Sequence, residues 1–455
     1  MKTATTFLLL LASAAVWADA TVTSATLSQN WPWSLEMTLK YTVTGVTSPV
    51  SAEIKFYNGD AEVAYDASAL KGVRHRIGHD GEYIVKFDPA AAFGASATYF
   101  GALKASVDIA PMDEAMDEVV YKIIDLESPY SVTDVTRGAL LDGIYGSVET
   151  DFSKIGEGYS TSLEDVLIWT GVTNNPAYKT TKLVMRKIPA GETFKRPKYM
   201  GWGGVVQTRT ITNEFYIGVF ELTQGQYKKI RAVGTSVYAS KSNYYNPKYV
   251  GDDMPVNRCS TYCLFEGNTK RTKPATGILH DFNSHLEAGY YLTLPGQEQW
   301  ICAFRAGTAT YYCDGLAGGA PDDPSSDSRL DVLGRYAGNG GLTVVDEENV
   351  TSNGVVRVGS FRPNAYGLYD MLGNVYEVML DQYHSEVSAQ TGTPADSTSR
   401  NTAVLGGCWA ETAAAWPFHI TSIQLSDTYA SRDPDGIFGY RLVLWRDPGS
   451  GGDSE

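Results

Sequence analysis

Between residues 35 and 43 the chain alternates strictly. Leu35, Met37, Leu39, Tyr41 and Val43 are apolar, and Glu36, Thr38, Lys40 and Thr42 between them are polar. A period of two gathers the apolar side chains on one face of a strand, which a helix would scatter. Residues 52–57 lead into Asn58-Gly59-Asp60, a turn signal. Residues 83–87 and 102–109 supply further strands, and Trp31-Pro32-Trp33 anchors the first. Residues 21–110 therefore read as a small all-β sandwich domain. Nothing catalytic stands out in it. His75 and His79 lie at a basic stretch, residues 74–76, without carboxylates at metal spacing, and read as a solvated loop.

Lys and Arg number 37 and Asp and Glu 52, so the net charge is 37 − 52 = −15. Such a chain repels phosphate backbones, and no basic patch offsets the repulsion, so no nucleic-acid partner is expected. The 29 Tyr and 9 Trp suit β structure and contact surfaces, and the 45 Gly imply many turns. Residues 1–20 form a secretory signal peptide: Lys2, an apolar run over 7–15, and cleavage after Ala18 or Ala20. That run is far shorter than the roughly 20 residues of a membrane span. No later run approaches that length, so the protein is expected to be exported by a bacterial-type route: secreted, periplasmic or at the cell surface, with no transmembrane segment.

Five cysteines, Cys259, Cys263, Cys302, Cys313 and Cys408, leave at least one thiol unpaired within the chain. Cys259 and Cys263 have the wrong spacing for a zinc knuckle, and no His pair follows. Cys302 with Cys313 is a reasonable disulfide pair in an exported protein. Residues 111–181 are assigned as a linker and entry segment, acidic at 111–118 and with a strand near 119–126. The pattern is dense from 182 to 446. Residues 447–455 are a Gly/Ser/Asp tail that cannot pack.

Several blocks stand in order in the second half: KLVMRKIPAGETF at 182–194, FYIGVFELTQGQYKKI at 215–230, YLTLPGQEQWICAFRAG at 291–307, PNAYGLYDMLGNVYE at 363–377, LGGCW at 405–409 and FGYR at 438–441. Together they resemble the sulfatase-modifying-factor family, whose best-known members are formylglycine-generating enzymes. The resemblance implies an α+β, C-type-lectin-like domain with a short irregular sheet, few helices and long loops. Local signals agree. Thr223 can cap a helix with Gln226 at the capping-box position. Residues 292–294 form a short strand ended by Pro295, and 297–304 a helical segment with Trp300 buried.

The resemblance also marks departures. Catalytic members bind copper through two cysteines after the Gly-Gly-Ser-aromatic turn, and use dioxygen to convert a substrate cysteine to formylglycine. Counted from Gly406-Gly407-Cys408-Trp409, those positions fall on Glu411 and Trp416, neither of which offers a thiolate. No cysteine follows Cys408. Iron-dependent relatives carry His ligands in an extra helical domain, which has no counterpart here. His280 and His285 are off the spacing that would align them on a helix, and His384 and His419 stand alone. The Gly-Leu-Tyr block of the family wraps a structural calcium, whose ligands carry over to Asp370, Gly373, Val375 and Glu377. Two carboxylates and two carbonyls are hard donors of the kind calcium takes. A second family calcium would use a loop near Asn339, but its other ligands do not align. Asp322, Asp323 and Asp327 read as a solvated acidic loop. The expected function is a non-catalytic exported module that binds a protein or carbohydrate ligand through Cys408, Trp409, Glu411, Trp416 and His419. The alternative is a metal-dependent oxidase, formylglycine-generating or of a different chemistry built on Glu411, His419 or Cys408.

Overall fold

A computed structural model describes residues 20–29, 34–94, 103–197, 206–233, 249–257, 264–266, 273–287, 289–318, 326–340, 354–382, 401–413, 421–424 and 436–446. The expectations for residues 1–19, Trp31, Trp33, Cys259, Cys263, Asp322, Asp323, His384, Trp416, His419 and the tail lie outside the described residues. The chain divides into two compact units, Met1–Val119 with Val135–Ser147, and Val120–Asp134 with Val148–Glu455.

The first unit holds β1 (Thr21–Gln29), β2 (Met37–Thr44), β3 (Val50–Asn58), β4 (Ala61–Val63), β5 (Gly81–Phe87) and β6 (Leu103–Pro111). They make two three-stranded sheets, β1-β2-β5 and β4-β3-β6. Alternation decides the packing: Leu39, Tyr41 and Val43 of β2 are fully buried, as are Phe56 of β3 and Val85 of β5. Register stacks Leu27, Leu39 and Val85 across three strands. Leu35, the first residue of the alternating run, lies ahead of β2 and is 59% exposed. The unit also draws in the helix Arg137–Leu141. Its N-cap Thr136 accepts from the Ala139 amide, and Asp142 just beyond it accepts from the amides of His75 and Arg76. His75 Nδ1 lies 3.1 Å from the same carboxylate, on a side chain that stays 44% exposed in the loop.

In chain order the remaining strands are β7 (Val119–Asp125), β8 (Val132–Thr136), β9 (Lys182–Ile188), β10 (Thr193–Pro197), β11 (Val206–Thr210), β12 (Phe215–Gly218), β13 (Tyr290–Thr293), β14 (Gly334–Arg335), β15 (Leu372–Gly373), β16 (Tyr376–Gln382), β17 (Asn401–Leu405), β18 (Thr421–Gln424), β19 (Phe438–Gly439) and β20 (Val443–Arg446). Six form one sheet, β13-β20-β12-β9-β7-β8, and four another, β18-β17-β16-β19. The segment expected to be a linker and entry region thus supplies β7 and β8 to the larger sheet. The helix Gln224–Val233 starts at the expected capping box: Thr223 Oγ1 accepts from Gln226 N at 3.1 Å, and Gln226 Oε1 accepts from Thr223 N at 3.0 Å. The helix Gln297–Arg305 is buried along its length, with Trp300 stacked on Phe304. The expected Cys302–Cys313 pair does not form. Both are free thiols in the interior, where burial raises their pKa values. The sequence allowed that pair only by counting; the fold buries the two thiols separately instead.

Candidate functional site

The block 369–377 bends through three residues in the left-handed region, Asp370 (φ 55°), Gly373 (φ 81°) and Asn374 (φ 61°). At Gly373 the reason is also a close approach, since a Cβ there would lie 2.1 Å from the Arg335 carbonyl oxygen. Asn tolerates this conformation better than most residues. Neighbouring loops hold the bend: Gly373 N donates to Gly406 O, Asn374 N to Arg335 O, and Trp409 N to Asn374 O.

Three buried carboxylates surround it. Glu221, just after β12, accepts from Asn374 Nδ2 at 2.6 Å and from Val375 N at 3.1 Å. Glu377 on β16 accepts from Arg441 Nε and Nη2 at 2.8–3.0 Å and from Trp300 Nε1 at 2.6 Å. Arg441 also donates to the carbonyls of Gly218, Val219 and Tyr369. Asp370 accepts from Gly359 N at 2.6 Å through Oδ2, while its Oδ1 is buried without a hydrogen-bond partner. Burial pushes the Asp370 carboxyl up to about 6, against the pull of the Gly359 amide, Arg441 and Lys179. Burial also holds Glu221 well above the ordinary range, and the charges of Asp370 and Glu377 push it the same way. Three carboxylates thus share Arg441 and the more distant Lys179, an arrangement that favours uptake of a proton or a cation.

Of the residues assigned to calcium, Asp370 and Glu377 are both buried, and they suit a cation unequally. Asp370 Oδ1 is an uncompensated hard oxygen, which fits a cation ligand. Both oxygens of Glu377 already accept from Arg441, and one also from Trp300. Among the described residues no three His, Cys, Asp or Glu side chains are placed to share one metal ion. An ion at Asp370 would draw its other ligands chiefly from backbone carbonyls such as those of Gly373 and Val375. Sequence reasoning missed Glu221. The available signal was an acid inside the run FYIGVFELT, every residue of which is buried.

The turn that should carry the copper pair lies beside this bend. Cys408 is buried, and Trp409 is buried against Tyr249, Val355 and Val375, its Nε1 donating to Gly436 O at 3.3 Å. Neither is available to an external ligand, so the open part of the described loop starts at Ala410. Half-buried Glu411 accepts from Tyr376 Oη at 2.5 Å. Burial, then Cys408 and Glu411, raise the Tyr376 phenol. His280 and His285 meet the backbone carbonyls of Pro274 and Asp281.

Known proteins place the chain. Residues 173–444 match the family model of the sulfatase-modifying factor enzyme 1-like domain. A serine/threonine-protein kinase, pkn1 of Chlamydia pneumoniae, is 26% identical over 275 residues, which is 56% of this chain. The match spans 38% of that kinase's own length. Among solved structures, variable protein 1 of Treponema denticola is 18% identical, with a TM-score of 0.38 over 58% of this chain and 96% of that one. PvdO from Pseudomonas aeruginosa is also 18% identical, with a TM-score of 0.39 over 58% and 94%. CarF is 17% identical, with a TM-score of 0.36 over 57% and 97%. With the family model covering more than half of its length, the chain belongs to the sulfatase-modifying-factor family and carries that family's C-type-lectin-like α+β domain behind a β-rich N-terminal unit.

Proposed function

We propose that this chain is a non-catalytic, exported member of its family, a module that binds an exported protein or a carbohydrate. The observation that carries the reading is Glu411. It stands where catalytic members have a copper thiolate, and its carboxylate is tied to the buried Tyr376 hydroxyl. A carboxylate so held is a poor substitute for a soft Cu(I) ligand. Ligand contact is assigned to Ala410 and Glu411 on the described turn and, from the sequence alone, to Trp416 and His419. A calcium ion is assigned to Asp370, with Gly373, Val375 and Glu377 around it. The support is the orphaned Asp370 oxygen and the excess of carboxylates. Calcium would add charge compensation to the bend and no chemistry.

The test is incubation of copper-loaded protein with a sulfatase-type cysteine peptide under dioxygen. Mass spectrometry should show the peptide unchanged; the small mass loss of formylglycine formation would overturn the reading. Export has its own test. Ala20 is buried and belongs to the core of the first unit, so cleavage after Ala18 keeps a residue that cleavage after Ala20 would remove. N-terminal sequencing of exported protein should begin at Asp19.

A further inference from the structure

Arg335 closes the short parallel pair of β14 with β15. Its backbone is fixed on both sides. A Cβ on Gly334 would lie 1.7 Å from Leu372 O, and the Arg335 carbonyl accepts from Asn374 N at 2.9 Å. From this anchor the half-buried side chain reaches three backbone carbonyls. Nε donates to Gly354 O at 3.0 Å, Nη2 to Gly340 O at 2.6 Å, and Nη1 to Asn339 O. Two of the carbonyls belong to glycines at φ 118° and 117°. A Cβ on Gly340 would meet Nη1 at 2.2 Å, and one on Gly354 would meet the Tyr249 ring at 2.2 Å. Asn339 is itself fixed, its Oδ1 accepting from Tyr336 N and its Nδ2 donating to Gly334 O. Burial lowers the Arg335 pKa, as expected for a cation taken partly out of water and given neutral dipoles.

Convergent carbonyl oxygens on rigid turns are the donor set of a hard-cation site. Here the space between them is filled by a guanidinium, whose planar fork directs several N–H groups at once. We propose that the carbonyls of Asn339, Gly340 and Gly354 form a cation cradle whose resident cation is Arg335, so that this junction is held together without a metal ion. Removing the guanidinium opens the cradle to an added cation.

The test uses the full chain and two variants of similar length, Arg335→Lys and Arg335→Met, with Arg335→Ala as the cavity variant. Thermal melts are run in chelator, then with millimolar calcium chloride or methylguanidinium chloride, always beside the wild type. Arg335→Met and Arg335→Ala should melt several degrees below wild type, with Arg335→Lys in between. Either added cation should raise the Arg335→Ala melting temperature by more than it raises that of the wild type. That difference separates the cradle from Asp370, whose calcium response would be common to both proteins. Equal melting of the Lys and Met variants would overturn the proposal. So would an Arg335→Ala variant that either melts like wild type or gains no more from added cation than wild type does. If Arg335→Ala does not fold, the Lys-against-Met comparison alone decides.

Discussion

Asp370 has one carboxylate oxygen satisfied by an amide and the other by nothing. Its folded-state pKa, raised by burial to about 6, exceeds the ordinary Asp value of 3.8. A carboxyl raised on folding favours the fold while both states are protonated. That contribution is present below the unfolded pKa and is lost as pH rises through the folded one. The stability from this group should therefore fall between about pH 4 and 6 and stay low above, a change on the order of 2–3 kcal/mol. In chelator, Asp370→Asn should flatten that part of the profile and raise the melting temperature at pH 7.5. Thermal melts across pH 4–8 check it. Calcium should oppose the wild-type loss and leave the Asn variant unmoved; a wild-type profile identical to the variant's would show that the carboxyl is not under strain. Glu377 stands in contrast, since Arg441 and Trp300 compensate it fully. Removing the indole donor by Trp300→Phe should cost about 1–3 kcal/mol, because a buried acceptor loses a partner that water cannot replace.

At the scale of elements, the parallel pair β14 with β15 is only two residues on each side, and it fixes both the bend at Gly373 and the base of Arg335. Contact is closest at Gly334, where any side chain collides with the Leu372 backbone. Gly334→Ala should cost about 3 kcal/mol through overpacking. Gly191 provides the control. It has φ 89° but open space around the missing Cβ, so Gly191→Ala should cost only about 1 kcal/mol of backbone strain. Equal losses in urea titration would mean that close approach at Gly334 is not what matters. The same distinction explains which elements were legible in the sequence. The Thr223–Gln226 capping box and the helix Gln297–Arg305 rest on partners within one turn, and local spacing discloses them. The ion pair of Glu377 with Arg441 joins residues 64 apart, and Glu221 meets Asn374 across 153. No periodicity encodes such pairs, so Glu377 carried over as a metal ligand and Glu221 did not register. The recognised turn predicts a contact surface at Cys408 and Trp409, whereas Trp409 is buried against Tyr249 and Val355 from distant parts of the chain.

At the scale of the molecule, the chain passes between its two units three times, at Val119, Asp134 and Ser147. The alternating strands predict the first unit but end it at residue 110, because residues 135–147 have no strand pattern. Those residues nonetheless complete it. Leu140 is fully buried, and Arg137 N donates to Glu118 O at 2.9 Å. Gly138 sits so close to Arg76 and Met116 that a Cβ would lie 3.0 Å from each. Asp142 satisfies two backbone amides of the 75–76 loop and the His75 ring. A fragment of residues 20–110 loses one buried leucine, worth roughly 2 kcal/mol, and leaves the amides that Asp142 served to water or to nothing, at about 1–2 kcal/mol more. Fragment 20–119 joined by a short Gly/Ser linker to 135–147 should therefore unfold at clearly higher urea than fragment 20–110, with a single sharp transition by circular dichroism. Asp142→Ala in the joined fragment should remove a large part of that gain. Equal midpoints for the two fragments would show that the sandwich is complete at residue 110, and that the returning helix rests on it without holding it.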